Sequence, residues 1–524
     1  MLRIFAGRGI SKMMKRANRL LAKAADWIRT VLLAAASNEM LFFFAAFLLP
    51  AFVDTELFRW HPEEVEMYGS MIIMPWGMAL CLYRLARRSQ IRGGALRADI
   101  AMLFALLVWI VVPFCVRFGL TAENTTSWLG YATVYFVLYA MTTEESSERR
   151  EALFDQICAM FCVLSLLLGG ALLWCAWTGA QIDGDWVVHY GTYASDGFSF
   201  GVYNLSQLCH GEHYNNTGMV ALCCTMFCLA GAERGKHVWQ RVLYLIAAVF
   251  MMIVIVLTQS RTARYALIAA MGAGVYSHMV SEHRIPHVLV RQMLGLLTAA
   301  AVIFVSYTGA ATLTDAALVH YAEREASFRA ALMQESAAQT EEPAQEAVLA
   351  QGEEAEKEEA AAQPEQETVK PKKARNAVSK TFSLRTTIWG GLVEYWRRNP
   401  KNLIIGAGAG KIAAAVEIII DYPKYGSLSM HNAYLQHTAD FGLISTALLA
   451  VFFLIVLRPV LRVFFAAGKK RKPGYNAMCM MVVGALLTGM MESQPLMAMT
   501  AVNMSLFVAL ALLVARSHEL KDEG

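Results

Sequence analysis

Long apolar stretches alternate with short polar segments along most of the chain. About 20 mainly apolar residues are needed for a helix to cross the hydrocarbon core of a membrane. A lone strand in lipid would leave its backbone N–H and C=O groups unpaired, so each stretch is predicted to be a helix. The twelve predicted spans are 36–54, 66–84, 99–117, 127–142, 152–178, 214–232, 241–257, 263–281, 289–308, 437–457, 475–492 and 496–515.

The composition supports an integral membrane protein. Hydrophobic residues make up 56% of the 524 positions and charged residues only 17%, and the mean hydropathy is +0.41. An average soluble domain is about 25% charged, so these values exclude an ordinary soluble enzyme and extensive disorder. The net charge of +4 is too small to indicate a protein that binds nucleic acid.

Lysine and arginine residues predict the orientation of the spans. With the N-terminus in the cytoplasm, the short cytoplasmic segments contain 28 of the 46 Lys and Arg residues, and the short outer loops contain 4. The other 14 lie in one long segment, to which the positive-inside rule does not apply. Both termini are therefore predicted to be cytoplasmic, and the basic N-terminus to be an interfacial helix rather than a signal peptide.

The predicted spans divide the chain into four parts. One outer segment contains an insertion, residues 335–368, that is rich in Ala, Glu and Gln. The insertion has almost no aromatic residues and cannot build a core, so it is predicted to be exposed and not catalytic. The parts are a basic, amphipathic cytoplasmic N-terminus (1–35), nine spans with an aromatic outer loop at 179–213 (36–308), a large extracytoplasmic segment (309–436), and three spans with a cytoplasmic tail (437–524).

Several motifs resemble metal-binding or nucleotide-binding sites, but the sequence does not favour these functions. Asp183 and Asp185 have the DxD spacing of metal-dependent sugar transferases, but two acids at this spacing are common by chance. Residues 406–410 (GAGAG) lack the spacing and the Lys-Ser/Thr of nucleotide-binding loops, and they predict a turn that lets helices pack closely. Glu492 is interpreted as part of helix packing. The cysteines lie mostly in spans without metal-ligand spacing, and we predict no metal ion and no cofactor.

Polar residues at the outer membrane boundary are the candidates for chemistry, because polar groups cost energy there. Arg261 lies between the seventh and eighth predicted spans, and Arg264 lies at the start of the eighth. Arg385 lies in the large outer segment, and His431 and Asn432 precede the tenth span. The predicted topology places all five residues on the same outer side.

Four motifs resemble those of the O-antigen ligase and O-antigen polymerase family, and they follow one another along the chain in the order that the family shows. The resemblance covers roughly residues 200–450 by motif, and the whole chain by the number of spans and the plan of the loops. The acidic insertion departs from the family pattern. The motifs are residues 431–445 (HNAYLQHTADFGLIS), the pair Ser260-Arg261, Arg385 with Ile388-Trp389 and Ile405-Gly406-Ala407-Gly408, and His213-Tyr-Asn-Asn216.

The resemblance implies an all-α, GT-C-like membrane glycosyltransferase of the bacterial cytoplasmic (inner) membrane. Its donor would be a glycan on a polyprenyl (undecaprenyl) diphosphate, and its site would face outward. The other expected partners are a lipid or glycan acceptor and membrane lipid, without nucleic acid. The oligomeric state stays open.

The resemblance also implies the roles of individual residues. Arg261 and Arg385, with Arg264 as an accessory, would hold the diphosphate, since guanidinium groups bind it in fork geometry without a metal. His431 would be the general base, because histidine changes its charge near neutral pH. His437 ranks second, since it is off the helical face of His431. Possible glycan-binding residues are Asn215, Asn216, Asn432 and Trp389, although the three asparagines are also typical of turns and helix caps.

Several alternatives remain open. Transfer to lipid A-core would define a ligase, which is slightly favoured. Transfer to a carrier-linked repeat would define a polymerase, and transfer to a protein Ser or Thr would define a protein O-oligosaccharyltransferase. A twelve-span transporter would show paired halves with polar residues at mid-membrane, and residues 31–260 and 260–515 show no such repeat. A scaffold that presents the acidic insertion would not need Arg261, Arg385 and His431 together.

Overall fold

The computed structural model describes most of the second half of the chain and parts of the first. The predicted spans at 99–117 and 127–142, the acidic insertion, Asp183 and Asp185 lie outside the described residues. The described residues are short helical pieces between 19 and 80, then 146–178, 180–182, 188–190, 214–257, 260–281, 287–309, 312, 375–408, 411–420, 430–466, 470–492 and 501–522.

The regular secondary structure of the described residues is helical, as predicted, apart from one short hairpin. Strands β1 (Ala180–Ile182) and β2 (Val188–Tyr190) are antiparallel, with Gln181 opposite His189. The helices are α1 (Ser147–Thr178), α2 (Tyr214–Arg234), α3 (Val238–Leu257), α4 (Arg261–Ser281), α5 (Val288–Gly309), α6 (Arg375–Arg398), α7 (Pro400–Ile405), α8 (Lys411–Ile420), α9 (Ala433–Phe464), α10 (Tyr475–Met491) and α11 (Ala501–Asp522).

The long described helices α1–α5 and α9–α11 coincide with predicted membrane spans, whereas α6, α7 and α8 lie in the predicted outer segment. By length and composition, five can cross a membrane, and α10 is a shorter apolar helix. The chain is therefore a multi-pass membrane protein, while the total of twelve spans stays a prediction. The five segments are Ser147–Gly170, Val238–Val256, Val288–Gly309, Ala433–Phe464 and Val502–Lys521.

Helix α2 lies at the centre of the bundle and packs against α1, α3, α4, α10 and α11. Its side chains Leu222, Cys223, Cys224 and Phe227 are fully buried. The Phe227 ring stacks on Phe161 of α1 with the ring centroids 4.3 Å apart. The described cysteines are all buried and unbridged, so they act as small apolar side chains, as predicted.

The two ends of the bundle carry different polar groups. At one end, the Arg234 guanidinium pairs with Glu151 and Asp155 of α1, each at 2.6 Å. The Lys472 ammonium there contacts Glu151 and also Glu519 of α11, at 3.1 and 2.9 Å. We call this the Arg234 end. Helices α1 and α10 begin at the Arg234 end, and α2 ends there. Helix α10 therefore ends at the opposite end of the bundle. Helix α3 follows α2 and runs away from the Arg234 end, so α4 also begins at the opposite end.

Helix α9 is interrupted at Gly442, where another backbone segment crosses it. Gly442 leaves helical geometry with φ +83° and ψ 170°. The N–H groups of Ala407 and Gly408 donate to the carbonyls of Ala439 and Asp440, at 3.0 and 2.9 Å. Carbonyls that the break releases from the helix therefore regain hydrogen bonds. The glycine-rich segment is the close-packing turn that the sequence predicts.

Replacing Gly442 by alanine is expected to destabilise the fold. A Cβ atom at this position would clash with the Gly406 nitrogen, and the positive φ is itself unfavourable for alanine, by about 1–3 kcal/mol. The apparent Tm of purified protein in detergent should fall clearly. Gly390→Ala is the matched control, because it has no atom within 4 Å and alanine favours a helix by about 1 kcal/mol. Equal shifts for the two variants would contradict this reading of the break.

Candidate functional site

Three side chains from distant parts of the chain converge on the Glu492 carboxylate. Arg385 Nη2 lies 3.1 Å from Oε1, Thr262 Oγ1 donates to the same oxygen at 3.3 Å, and His431 Nδ1 lies 3.5 Å from Oε2. Glu492 follows the last residue of α10, where its backbone N–H donates to the Thr488 carbonyl. The site therefore lies at the end of the bundle opposite the Arg234 end.

The amphipathic character of α6 places Arg385. Ile388, Leu392 and Tyr395 form a buried stripe on this helix and pack against α8 and the start of α9. Arg385 lies one turn before Ile388, on the same face, so its guanidinium points into the protein. Its side chain is 15% exposed, and its Nη1 contacts Met491 Sδ at 3.6 Å.

His431 is held in an unusual backbone conformation just before α9. Its φ is +47°, in the left-handed region that non-glycine residues rarely adopt. The preceding residue, Met430, is fully buried. The Met430 N–H donates to Gln436 Oε1 at 3.1 Å, and the Met430 carbonyl accepts from Trp389 Nε1 at 2.8 Å. Strained backbone that is fixed from both sides is typical of functional sites.

Asn432 and Trp389 both position His431. Asn432 is the N-cap of α9, because its Oδ1 accepts from the N–H groups of Tyr434 and Leu435, both at 3.0 Å. Its Nδ2 donates to the Met490 carbonyl at 3.0 Å, so it also joins the start of α9 to the end of α10. The cap interpretation of Asn432 is confirmed, and binding of glycan by Asn432 or Trp389 stays a prediction.

The start of α4 contributes Thr262 to the site. Ser260 is fully buried and caps α4, since its Oγ accepts from the Ala263 N–H at 3.2 Å. Arg261 is exposed, whereas the next side chain, Thr262, is buried and contacts Glu492. Arg264 lies one turn after Arg261 and is half-buried. Among the described residues Arg261 has no ion pair, and its role in binding a diphosphate stays a prediction.

The remaining predicted residues differ in how they relate to this cluster. Asn215 and Asn216 lie in the first turn of α2, and α2 begins at the end of the bundle where α4 begins, since Gly218 faces Ser260 and Ala263. His437 is fully buried, and its Nε2 lies 3.1 Å from Ser445 Oγ. That contact joins the two sides of the break in α9, which indicates a structural role for His437.

The arrangement is a carboxylate shared by a permanent cation, an imidazole and a hydroxyl. Arg385 is always charged, and one of its nitrogens on Glu492 leaves further N–H donors of the planar fork for a ligand. A carboxylate beside His431 Nδ1 favours the tautomer that carries its proton there, which leaves Nε2 as an acceptor. The cluster can thus hold an anion and accept a proton at neighbouring points.

Glu492→Gln is expected to lower the rate of any reaction that this cluster catalyses by at least about tenfold. The amide keeps the shape of the side chain but removes the charge that orients Arg385 and His431. Only 9% of the Glu492 side chain is exposed, and breaking a buried pair costs about 3–5 kcal/mol, so the apparent Tm should also fall. Glu394→Gln is the matched control, because Glu394 forms only exposed pairs with Arg397 and Arg398, which are worth less than about 1 kcal/mol. Full activity of Glu492→Gln would contradict the central role of the carboxylate.

The role of Glu492 in this cluster was not predicted from the sequence, which favoured helix packing for this residue. Its three partners lie 61, 107 and 230 residues away along the chain, so no local spacing reveals the cluster. One signal was present, because an acidic side chain at the end of an apolar helix is as costly as the arginines that were selected at such positions.

Metal ligation finds no support in the described part of the chain. Among those residues, no group of three His, Cys, Asp or Glu side chains could hold a metal ion. The absence of a metal and of a cofactor from the reaction stays a prediction.

The fold and the site define a multi-pass helical membrane protein with a charged polar cluster at one end of its bundle. Residues 246–453 match the family model that is described as O-antigen ligase. The match covers part of the chain, and over that part it confirms the resemblance predicted from the motifs. Arg261, Arg385 and His431 lie within the matched residues, whereas Glu492 lies beyond them. The comparison with curated proteins gives no match.

Proposed function

We propose that the protein transfers a glycan from a polyprenyl diphosphate carrier to an acceptor hydroxyl. The observation that carries this proposal is the convergence on Glu492 of Arg385, His431 and Thr262, which all lie within the residues that match the O-antigen ligase family model. The acceptor of a ligase, lipid A-core, is preferred, and the polymerase and protein O-oligosaccharyltransferase acceptors are the alternatives.

The reaction is a single displacement at the anomeric carbon. The acceptor oxygen forms a bond to this carbon while the bond from the carbon to the diphosphate oxygen breaks, so the anomeric configuration inverts. His431 Nε2 takes the proton of the hydroxyl as general base. The electron pair leaves with the diphosphate, whose increasing negative charge the guanidinium groups stabilise.

The arginines differ in what supports their roles. Arg385 is fixed by Glu492 at 3.1 Å, so its remaining donors are oriented before the donor substrate arrives, which lowers the cost of ordering. Arg261 is exposed at the start of α4, next to Thr262. A long, exposed arginine is suited to closing on the diphosphate from the other side, with Arg264 one turn away.

Glu492 positions the base in this mechanism. When His431 takes a proton, the imidazolium forms beside a carboxylate whose Oε2 lies 3.5 Å from Nδ1. The negative charge stabilises the imidazolium, as in other carboxylate–histidine pairs. Arg385 and His431 share this carboxylate, so binding of the diphosphate to Arg385 is coupled to the charge that acts on the base.

The proposed location is the bacterial cytoplasmic membrane with both termini in the cytoplasm. The cluster then faces outward, and the Arg234 end faces the cytoplasm. This orientation agrees with the distribution of Lys and Arg and with a carrier whose glycan is presented on the outer leaflet.

The test uses the full-length protein purified in detergent, with an undecaprenyl-diphosphate-linked oligosaccharide as donor. Released undecaprenyl diphosphate and glycan product are measured with lipid A-core, a second carrier-linked glycan or a Ser/Thr peptide as acceptor. Turnover with one acceptor supports the proposal and identifies the subclass. A folded protein that binds the donor and turns over no acceptor would contradict it.

The reaction is expected to proceed without a divalent cation, because guanidinium groups stabilise the leaving diphosphate in this mechanism. Transfer measured in excess EDTA should equal transfer in buffer with Mg²⁺ or Mn²⁺. Strong inhibition by EDTA, reversed by one of these ions, would contradict this and would make Asp183 and Asp185 the first residues to test as ligands.

A further inference from the structure

A cavity of about 460 Å³ opens on the surface of the bundle between α1 and α3, over the last turn of α2. It lies at the Arg234 end, far from Glu492, and takes no part in the proposed transfer. A volume of this size is typical of a site for a small ligand.

The cavity changes from polar to apolar along its length. Asp155, Arg234 and Lys236 line its outer end, whereas Val163 and Leu166 of α1 line the inner part together with Leu243 of α3. Asp155 and Leu166 are separated by about 16 Å along α1, given the rise of about 1.5 Å per residue. The cavity is therefore a groove with one charged end and an extended apolar wall.

The groove opens to the side of the bundle and not into its core. Helices α1 and α3 are both among those that can cross a membrane. Val163 in the wall is 54% exposed, and Trp239 beside the charged end is 64% exposed. Tryptophan is enriched where a membrane-spanning helix leaves the hydrocarbon for the headgroup region, so the apolar wall lies at the depth of acyl chains.

The charges at the open end leave one cation unmatched. Arg234 pairs with both Glu151 and Asp155. Lys236 is exposed and forms no ion pair with any other residue that the structure describes. An ammonium at the headgroup level of a groove attracts an anionic phosphate.

We propose that this groove binds one anionic phospholipid of the leaflet opposite the Glu492 cluster. The lipid phosphate lies at Lys236, and one acyl chain follows the groove past Ala159 to Leu166. A free phosphate would leave the apolar wall uncovered, so the ligand is the intact lipid and not its headgroup.

The test is a binding titration of the delipidated full-length protein in detergent with phosphatidylglycerol, read by native mass spectrometry. Ala159→Phe fills the groove and should weaken binding by at least about tenfold, since the acyl chain then loses its apolar contact with the groove wall. Lys236→Gln should weaken binding about fivefold, the effect of one cation near an anionic lipid.

Two matched controls separate a specific site from general contact with lipid. The control variants are Ala450→Phe and Lys521→Gln. Ala450 is on an exposed face of α9, Lys521 is exposed at the Arg234 end, and neither residue lines the groove. Both should bind one phosphatidylglycerol as the wild type does. Equal binding by all four variants would overturn the proposal, as would displacement of the lipid by an equal concentration of glycerol phosphate. Lys236 is exposed, so Lys236→Gln decides the question even if Ala159→Phe fails to fold.

Discussion

Replacing His431 is expected to lower the rate of glycan transfer by about 10²–10⁴-fold, the range that a general base contributes. Asparagine is the most informative replacement, because it tolerates the left-handed backbone that His431 adopts at φ +47°. His431→Asn should therefore keep the fold and the binding of donor while it removes the proton acceptor. The initial rate of polyprenyl diphosphate release in the presence of acceptor measures the loss.

His287→Asn is the control for this prediction. His287 is exposed, directly before α5, on the side where α4 ends, and its replacement should leave the rate unchanged. A His431→Asn protein with the wild-type rate would exclude this histidine as the base. Equal losses in the two variants would show a general effect on the protein.

Arg385→Lys is expected to remain severely impaired, even though the charge is conserved. Removal of one preorganised donor to a developing oxyanion costs about 10²–10³-fold in rate. A lysine supplies a point charge and cannot hold Glu492 and a diphosphate at once with a planar fork. Arg385→Ala should be at least as inactive, and both variants are measured by transfer rate and by binding of the donor.

Arg398→Lys is the matched control for Arg385, on the same helix. Arg398 is exposed and pairs with Glu394 at 3.0 Å within one turn, a contact worth at most about 1 kcal/mol. Its replacement should leave the rate unchanged. Recovery of the wild-type rate by Arg385→Lys would mean that charge alone suffices and would contradict the fork arrangement.

The positions of the described helices that coincide with predicted spans were predictable, because the bilayer sets the length of an apolar segment. The predicted span at 241–257 corresponds to Val238–Leu257, and the span at 475–492 corresponds to Tyr475–Met491. Helix α9 begins at Ala433, four residues before the predicted span, because Asn432 caps it. Capping depends on side-chain hydrogen bonds, which hydropathy does not report.

The break in α9 could not be predicted from hydropathy. Gly442 lies inside an apolar stretch, and a single glycine in such a helix is ordinary. The break requires Gly406 from another segment, whose backbone approaches so closely that a Cβ on either glycine would clash. This contact exists only after folding, although the glycines on both sides belong to motifs that the sequence analysis selected.

The site was predictable in part, and by resemblance rather than by chemistry. Arg385 and His431 were selected from motifs, and the structure brings both to one carboxylate. The carboxylate itself was missed, since it follows a Met-rich helix beyond the residues that match the family model. Motifs report individual residues, whereas only the fold determines which of them share a partner.

The most direct test of the Glu492 cluster as one catalytic unit is a double-mutant comparison of transfer rates for the wild type, His431→Asn, Glu492→Gln and the double variant. If Glu492 acts through His431, the double variant should be little slower than His431→Asn alone, because residues that act as a unit give strongly non-additive losses. Losses that multiply would show independent contributions, and wild-type rates in all variants would place the chemistry elsewhere.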